Sequence, residues 1–353
     1  MFYYPTLLES KNLVNLQVVI PGGWGTLNVD DSGLHFLWEN LFFAPWPQLP
    51  DPDEWLWENT LDFWSVTSYE SIRLNFTLLP EQMEAFIPTL KTLLQPRLVD
   101  PQFLAKEIKD LQFYWQTDRD QKEDAVLRDL FKTEHVVHPN KDLINHLQAG
   151  DVDAIYKLWE DAEPYVIILG AVHTDDLISL GQLFPQKSEF KAVHTYHPPN
   201  SATNSFTKTR WGLKVNLNES HLYELLVIEL WEQQFKVKFF FEYHLENLFI
   251  WTNDQEHPHL LLKKVKAYAL NETDFNNALN AYLKFLTLLY QGDNSKSLEK
   301  LSELTEGLHA HPFQRPTYKV SANDLDLSKT MTQVNFQDFK DFYQNFVSVI
   351  PTQ

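Results

Sequence analysis

The sequence predicts an α+β protein made of two related domains. Three observations carry this expectation. The length of 353 residues exceeds one ordinary core and suits two domains of about 150–200 residues each. The first half reads as strand, helix, strand, a block of helices, strand and helix, and after a polar, turn-rich stretch a broadly similar order begins again. With 44% hydrophobic and 22% charged residues, and only 10 Gly and 19 Pro, the composition is that of a packed globular chain.

Taken in order, Leu13–Ile20 is β-rich and ends at Pro21-Gly22-Gly23, a first strand and its turn. Ser32-Gly33 opens the apolar run Leu34–Phe43, which suits a buried helix closed by Ala44-Pro45. A Pro-rich loop over residues 45–55 follows. Within the extended segment Phe63–Leu78, Ser71, Arg73, Asn75 and Thr77 alternate with Ile72, Leu74, Phe76 and Leu78, the period of a strand with one buried face. Beyond Pro80 the apolar spacing becomes helical, in segments 83–94, 103–115, 123–135 and 152–162; Asp100-Pro101 is a good start for the second. Tyr165–Leu169 reads as a short buried strand and residues 175–184 as a helix.

The stretch 194–208 is polar and aperiodic, which predicts a linker between domains 1–193 and 209–353. Beyond it come a strand over 210–217, a helix over 220–235, a β-rich stretch over 236–251, a strand over 260–270 and helices from Glu272. No residue-level repeat is visible, but the two halves share an order of elements.

Composition narrows the function. The net charge of −19 repels phosphate backbones, and no basic patch offsets it, so nucleic acid is not an expected partner. Lys263-Lys264-Val265-Lys266, the longest basic cluster, reads as the edge of a strand. An acidic surface of this kind draws basic peptides or proteins. The 11 Trp and 25 Phe fit either a Trp-rich core or apolar surface left for a partner. Zero cysteines exclude disulfides and thiolate chemistry and fit a reducing compartment. The first residues lack a signal-peptide pattern and no apolar run is long enough for a membrane span, so the expectation is a cytoplasmic protein with no membrane partner.

The chemistry-bearing segment is Gly33-Leu34-His35-Phe36-Leu37-Trp38-Glu39-Asn40-Leu41-Phe42. It resembles the metal-binding helix of the pitrilysin/insulinase family of zinc peptidases, which commonly reads G-L-A-H-F-L-E-H-M-L-F. There an inverted H-x-x-E-H motif sets two His at i and i+4 toward zinc, with the intervening Glu acting on the metal-bound water. Aligned on His-Phe-Leu, His35 matches the first ligand, Trp38 falls on the general base and Glu39 on the second His. In the later helix that supplies the family's third ligand, Tyr114 falls on the ligand and Glu107 on an earlier Glu.

The resemblance extends over Leu13–Phe184. Trp64-Ser65-Val66-Thr67-Ser68 matches the family's N-A-x-T-S strand, Leu78–Ile108 its long helix and ligand helix, and Glu163–Leu177 the strand-Gly segment that closes each family domain. The second half fits as an abbreviated second domain; the family's Arg there has no counterpart and Tyr243 matches its Tyr only weakly.

The resemblance implies two αβ domains, each an antiparallel or mixed sheet on a layer of helices, and a clam-shell of four such domains made by pairing chains. His35 and Glu39 alone are two ligands short of a closed zinc site, and Trp38 cannot take a proton from water. The implied role is therefore a catalytically inactive subunit with no metal of its own, zinc belonging to a homologous partner with an intact H-x-x-E-H motif. The chain would close the chamber, and Ser65, Val66, Thr67 and Ser68 would hold an extended peptide by β-addition; family analogy extends to ribosomal, bacteriocin-like precursor peptides. The rival readings are an active metallohydrolase with an altered site around His35, Glu39 and Glu107, and a structural scaffold subunit.

Other constellations read as structure. His135 and His138, His194 and His197, His257 and His259, and His309 and His311 all lie beside Pro in apparent turns. Asp118, Asp120 and Glu123 read as solvated charge, and the apolar positions Leu222, Leu225, Leu226, Ile228 and Phe239–Phe241 as core or a subunit face. No G-x-S-x-G elbow or phosphate loop is present, and Gly22–Gly25 is a turn.

Overall fold

The computed structural model describes residues 2–5, 13–21, 34–67, 71–117, 164–184, 201–216, 221–244, 247–252, 257–291 and 334–352, with a few single positions between them. The chain divides into two compact units: Met1–Lys122, Glu134–Gln186 and Tyr290–Glu299 form the first, and Glu123–Thr133, Lys187–Leu289 and Lys300–Gln353 the second.

In the first unit the elements are β1 (Phe2–Pro5), β2 (Val14–Pro21), α1 (Leu34–Leu41), α2 (Pro52–Asn59), β3 (Asp62–Thr67), β4 (Ser71–Leu78), α3 (Met83–Leu93), α4 (Pro101–Thr117), β5 (Tyr165–Gly170) and α5 (Thr174–Leu183). The strands form one sheet in the order β1-β5-β2-β4-β3, antiparallel except for the parallel pair β1–β5. Alternation explains which face is buried against helices. Val14, Leu16, Val18 and Ile20 of β2, Ile72, Leu74, Phe76 and Leu78 of β4, and Val166 and Ile168 of β5 share one core with Leu37, Trp38 and Leu41 of α1 and with Phe86 and Leu90 of α3. The opposite face carries cross-strand polar pairs. Register sets Gln17 opposite Asn75 and Asn15 opposite Thr77, and each pair hydrogen-bonds: Gln17 Nε2 donates to Asn75 Oδ1 at 2.5 Å and Thr77 Oγ1 to Asn15 Oδ1 at 3.0 Å. Gly170 ends β5 with φ of +140°, where a Cβ would stand 2.2 Å from the Leu13 carbonyl oxygen; only glycine fits there.

The second unit contains β6 (Ser201–Phe206), β7 (Trp211–Asn216), α6 (His221–Phe235), β8 (Phe239–His244), β9 (Asn247–Thr252), α7 (Pro258–Ala267), α8 (Glu272–Gln291) and α9 (Phe336–Val349). Its antiparallel sheet has the order β6-β7-β9-β8. The path β7-α6-β8-β9 repeats the path β2-α1-β3-β4, and the neighbour orders β7-β9-β8 and β2-β4-β3 correspond. The shared order of elements read from the sequence is thus a shared topology, and the α+β class with antiparallel sheets on helices holds.

Aromatic residues dominate this second core. Trp231 of α6 lies 5.9 Å from Trp211 and 5.8 Å from Phe346, ring centre to ring centre, and Tyr223 stacks on Phe342 at 5.2 Å. Of the two uses the sequence left open for its aromatics, these serve the core. On the sheet's other face Gly212 admits the side chain of Val126, which a Cβ would meet at 2.0 Å.

Three expectations are corrected. Residues 260–270, read as a strand with Lys263, Lys264 and Lys266 along its edge, belong largely to helix α7. Leu261, Leu262 and Val265 are buried at helical spacing, Leu and Lys are good helix formers, and Pro258 occupies a first-turn position. The Pro-rich loop ends early, at Asp51, whose side chain caps α2 by accepting from Glu54 N at 2.9 Å; Pro52, Asp53 and Glu54 then form a favourable first turn. Ser201–Phe206, within the expected linker, are strand β6 paired with β7. No described helix is long and apolar enough to cross a membrane.

Candidate functional site

Helix α1 is held from both sides, and each contact starts from a residue of the motif-like segment. His35 is fully buried, its ring 6.0 Å from that of Trp38. Neither ring nitrogen has a hydrogen-bond partner among the described residues, and burial lowers its pKa to about 3, so the ring is neutral at ordinary pH. Trp38 is buried too and stacks on Phe42 at 5.8 Å.

Glu39 faces the strand β3. Its carboxylate accepts from Ser65 Oγ at 2.6 Å and from Thr67 Oγ1. Ser65 and Thr67 are two apart on β3, so both hydroxyls reach the same side of the sheet. Burial raises the Glu39 pKa and these hydroxyl donors oppose the rise. The next residue works in another direction: Asn40 Nδ2 donates to Glu107 Oε2 of α4 at 3.1 Å. Burial raises the Glu107 pKa, and Lys106, whose Nζ is 3.7 Å away, lowers it.

The C-terminal end of α1 has its own clamp. Arg97 Nη2 donates to the carbonyls of Leu41 and Ala44, each at 3.1 Å, and to that of Phe42; Nη1 donates to Leu93 O at 3.1 Å at the end of α3. The guanidinium also lies 4.5 Å from the centre of the Trp46 ring. A planar fork of donors suits several carbonyls at once, and placing it at two helix C-termini matches their negative ends. Burial lowers its pKa to about 10, which leaves it charged at neutral pH. Nothing local in the sequence marks Arg97 as the clamp of α1, because the α1-end carbonyls it holds lie more than 50 residues earlier.

These donors do not fit a zinc site. Glu39 is engaged by two hydroxyls, His35 is enclosed in the apolar core beside Trp38, and no group of three His, Asp or Glu able to hold a metal exists among the described residues. No step through a metal follows from this arrangement. What it does chemically is fix a helix to a strand and to two other helices.

A second buried carboxylate lies on α6, the helix that α1 resembles in topology. Glu224 is 1% exposed, and neither oxygen has a hydrogen-bond partner among the described residues; burial holds its pKa well above the usual carboxylate range.

No family profile matches the chain, and no curated protein matches it. Solved structures do. The periplasmic protease PqqL from Escherichia coli superposes with a TM-score of 0.65 at 12% identity, over 99% of this chain and 46% of that one. A protease from Helicobacter pylori gives 0.65 at 12% identity, over 98% and 93%. A putative M16-like peptidase from Alicyclobacillus acidocaldarius gives 0.66 at 11% identity, over 97% and 92%. The chain has the fold of an M16-like, pitrilysin-type peptidase. It spans about half the length of PqqL and nearly the whole length of the other two.

On this M16-like fold the residues singled out from the sequence fall in two places. His35, Trp38 and Glu39 are on α1, and Glu107 and Tyr114 on α4, where Glu107 meets α1 through Asn40. Ser65, Val66 and Thr67 are on β3, the outer strand of its sheet, paired among the described strands with β4 alone; Ser68 lies outside the described residues. Tyr243 is on β8. His257 precedes α7, and His259 stacks on Phe206 at 4.0 Å. The remaining histidine pairs and Asp118, Asp120 and Glu123 lie outside the described residues.

Proposed function

We propose that this chain is a non-catalytic subunit that pairs with a homologous M16-like subunit carrying an intact H-x-x-E-H zinc motif. It completes the chamber of that peptidase and holds an extended peptide along β3. The two units supply one half of the chamber, and zinc belongs to the partner. The cytoplasm is the proposed compartment on cysteine content alone.

One observation carries the reading: Glu39, at the position matched to a zinc-binding histidine, is engaged by Ser65 and Thr67 instead. Trp38, at the position matched to the general base, has no basic atom and stacks on Phe42 in the core. A buried indole cannot activate water.

The test is reconstitution. The chain is co-expressed with a neighbouring homologue that has the intact motif, and peptide cleavage by that homologue is measured alone and in the pair. Co-purification with faster cleavage by the pair is the expected result. Equal cleavage by the homologue alone overturns the proposal.

A further inference from the structure

The start of the outer strand β3 carries exposed apolar side chains. Trp57 of α2 is 63% exposed although its ring meets Phe63 edge-on at 5.0 Å, and Leu61 is 50% exposed. Single exposed apolar side chains are ordinary. Here two stand beside Phe63 at a sheet edge that pairs among the described strands with β4 alone, and alternation sets Phe63, Ser65 and Thr67 on one side of β3, with Leu61 just before it.

That edge also lacks the usual protection. Outer strands are commonly blunted by Lys, Pro or a bulge, whereas Asp62–Thr67 contains neither Lys nor Pro and runs in unbroken register with β4. The charge around its start is mainly acidic. Residues 44–72 include Asp51, Asp53, Glu54, Glu58, Asp62 and Glu70 and no Lys or Arg, and Arg73 of β4 stands opposite Val66 toward the other end of β3. An edge with no second partner among the described strands, an apolar step and an excess of negative charge together define an occupant.

We infer that the β3 edge binds cationic extended peptides that alternate large apolar with basic side chains. The peptide backbone adds to β3, alternate apolar side chains lie against Trp57, Leu61 and Phe63, and the intervening Lys or Arg side chains face the Asp62 side, with Glu58 adding to the attraction. This rests on the reading of β3 as the peptide-holding strand and names the class of peptide it takes.

The test uses the full chain and fluorescein-labelled decapeptides, with anisotropy as the readout. One peptide alternates Leu and Lys, a second alternates Leu and Glu, and two further Leu/Lys peptides carry backbone N-methyl groups in one or the other alternate register. The Leu/Lys peptide is expected to bind in preference to Leu/Glu. Trp57→Ala is expected to weaken it about tenfold. The double variant Glu58→Lys, Asp62→Lys is expected to weaken it about tenfold and to favour the Leu/Glu peptide. One N-methyl register is expected to abolish binding and the other to spare it, because only alternate N–H groups face a strand partner.

If Leu/Glu binds as tightly as Leu/Lys, or Trp57→Ala changes nothing, the cationic-apolar class is wrong even where the N-methyl registers still differ. If both N-methylated peptides bind like the parent, strand addition itself fails, and the reading of β3 falls with it.

Discussion

His35 illustrates how a residue type can suggest one chemistry and its surroundings another. In sequence it aligned with a metal ligand; in the fold its ring is part of the core around Leu37 and Trp38. The consequence is a signed pH dependence. The unfolded chain takes a proton on this histidine below about 6.5 and the native chain not until about 3, so stability falls with pH across that window by up to about 1.4 kcal/mol per pH unit. His35→Phe is expected to remove this slope. Urea unfolding at pH 7 and pH 5 then shows a loss about 2 kcal/mol greater for the wild type than for the variant; equal losses contradict a buried neutral His35. Glu224 has the opposite sign. Its raised native pKa means the folded chain keeps a proton that the unfolded chain releases, so stability declines as pH rises above about 4.5. Glu224→Gln is expected to raise the melting temperature more at pH 7.5 than at pH 5, and a gain that does not grow with pH contradicts the assignment. The sequence marked His35 for attention through its motif, whereas Glu224 sits in an apolar run and only burial reveals it.

At the level of elements, α1 is a short helix whose position depends on polar ties as well as packing. Replacing Ser65 by Ala and Thr67 by Val leaves the Glu39 carboxylate without its hydroxyl donors, and the double variant is expected to lose about 2–3 kcal/mol of stability in chemical denaturation. A loss below about 0.5 kcal/mol would mean that the pair contributes no more than an exposed contact. Arg97→Lys is expected to cost about 2 kcal/mol, since one ammonium cannot span carbonyls at two helix ends; an unchanged midpoint contradicts the clamp. Elements were legible where one signal dominated: β2, β4 and β5 by their apolar runs or alternation, α1 by an apolar run of helix length, and α3 and α4 by helical spacing. They were misread where two signals competed. The apolar run Leu260–Leu262 followed by Lys263, Lys264, Val265 and Lys266 imitated a strand and its edge inside α7, and dense proline hid the capped start of α2.

For the whole molecule, the duplicated topology was foreshadowed by element order, but sheet order depends on long-range pairing that no local pattern encodes. The same limit applied to the site. Motif spacing brought His35, Glu39 and Glu107 forward, yet the contacts that decide the roles of Glu39 and Glu107, with Ser65, Thr67 and Asn40, became visible only once α1, β3 and α4 were assembled. The fold is that of an M16-like peptidase, and α1 is fixed by Ser65, Thr67, Glu107 and Arg97. Zinc content per chain, measured after saturation with zinc and exhaustive dialysis, tests this most directly. Substoichiometric zinc, the same in the wild type and in His35→Ala, is the expected result. One zinc per chain, lost in His35→Ala, would contradict it.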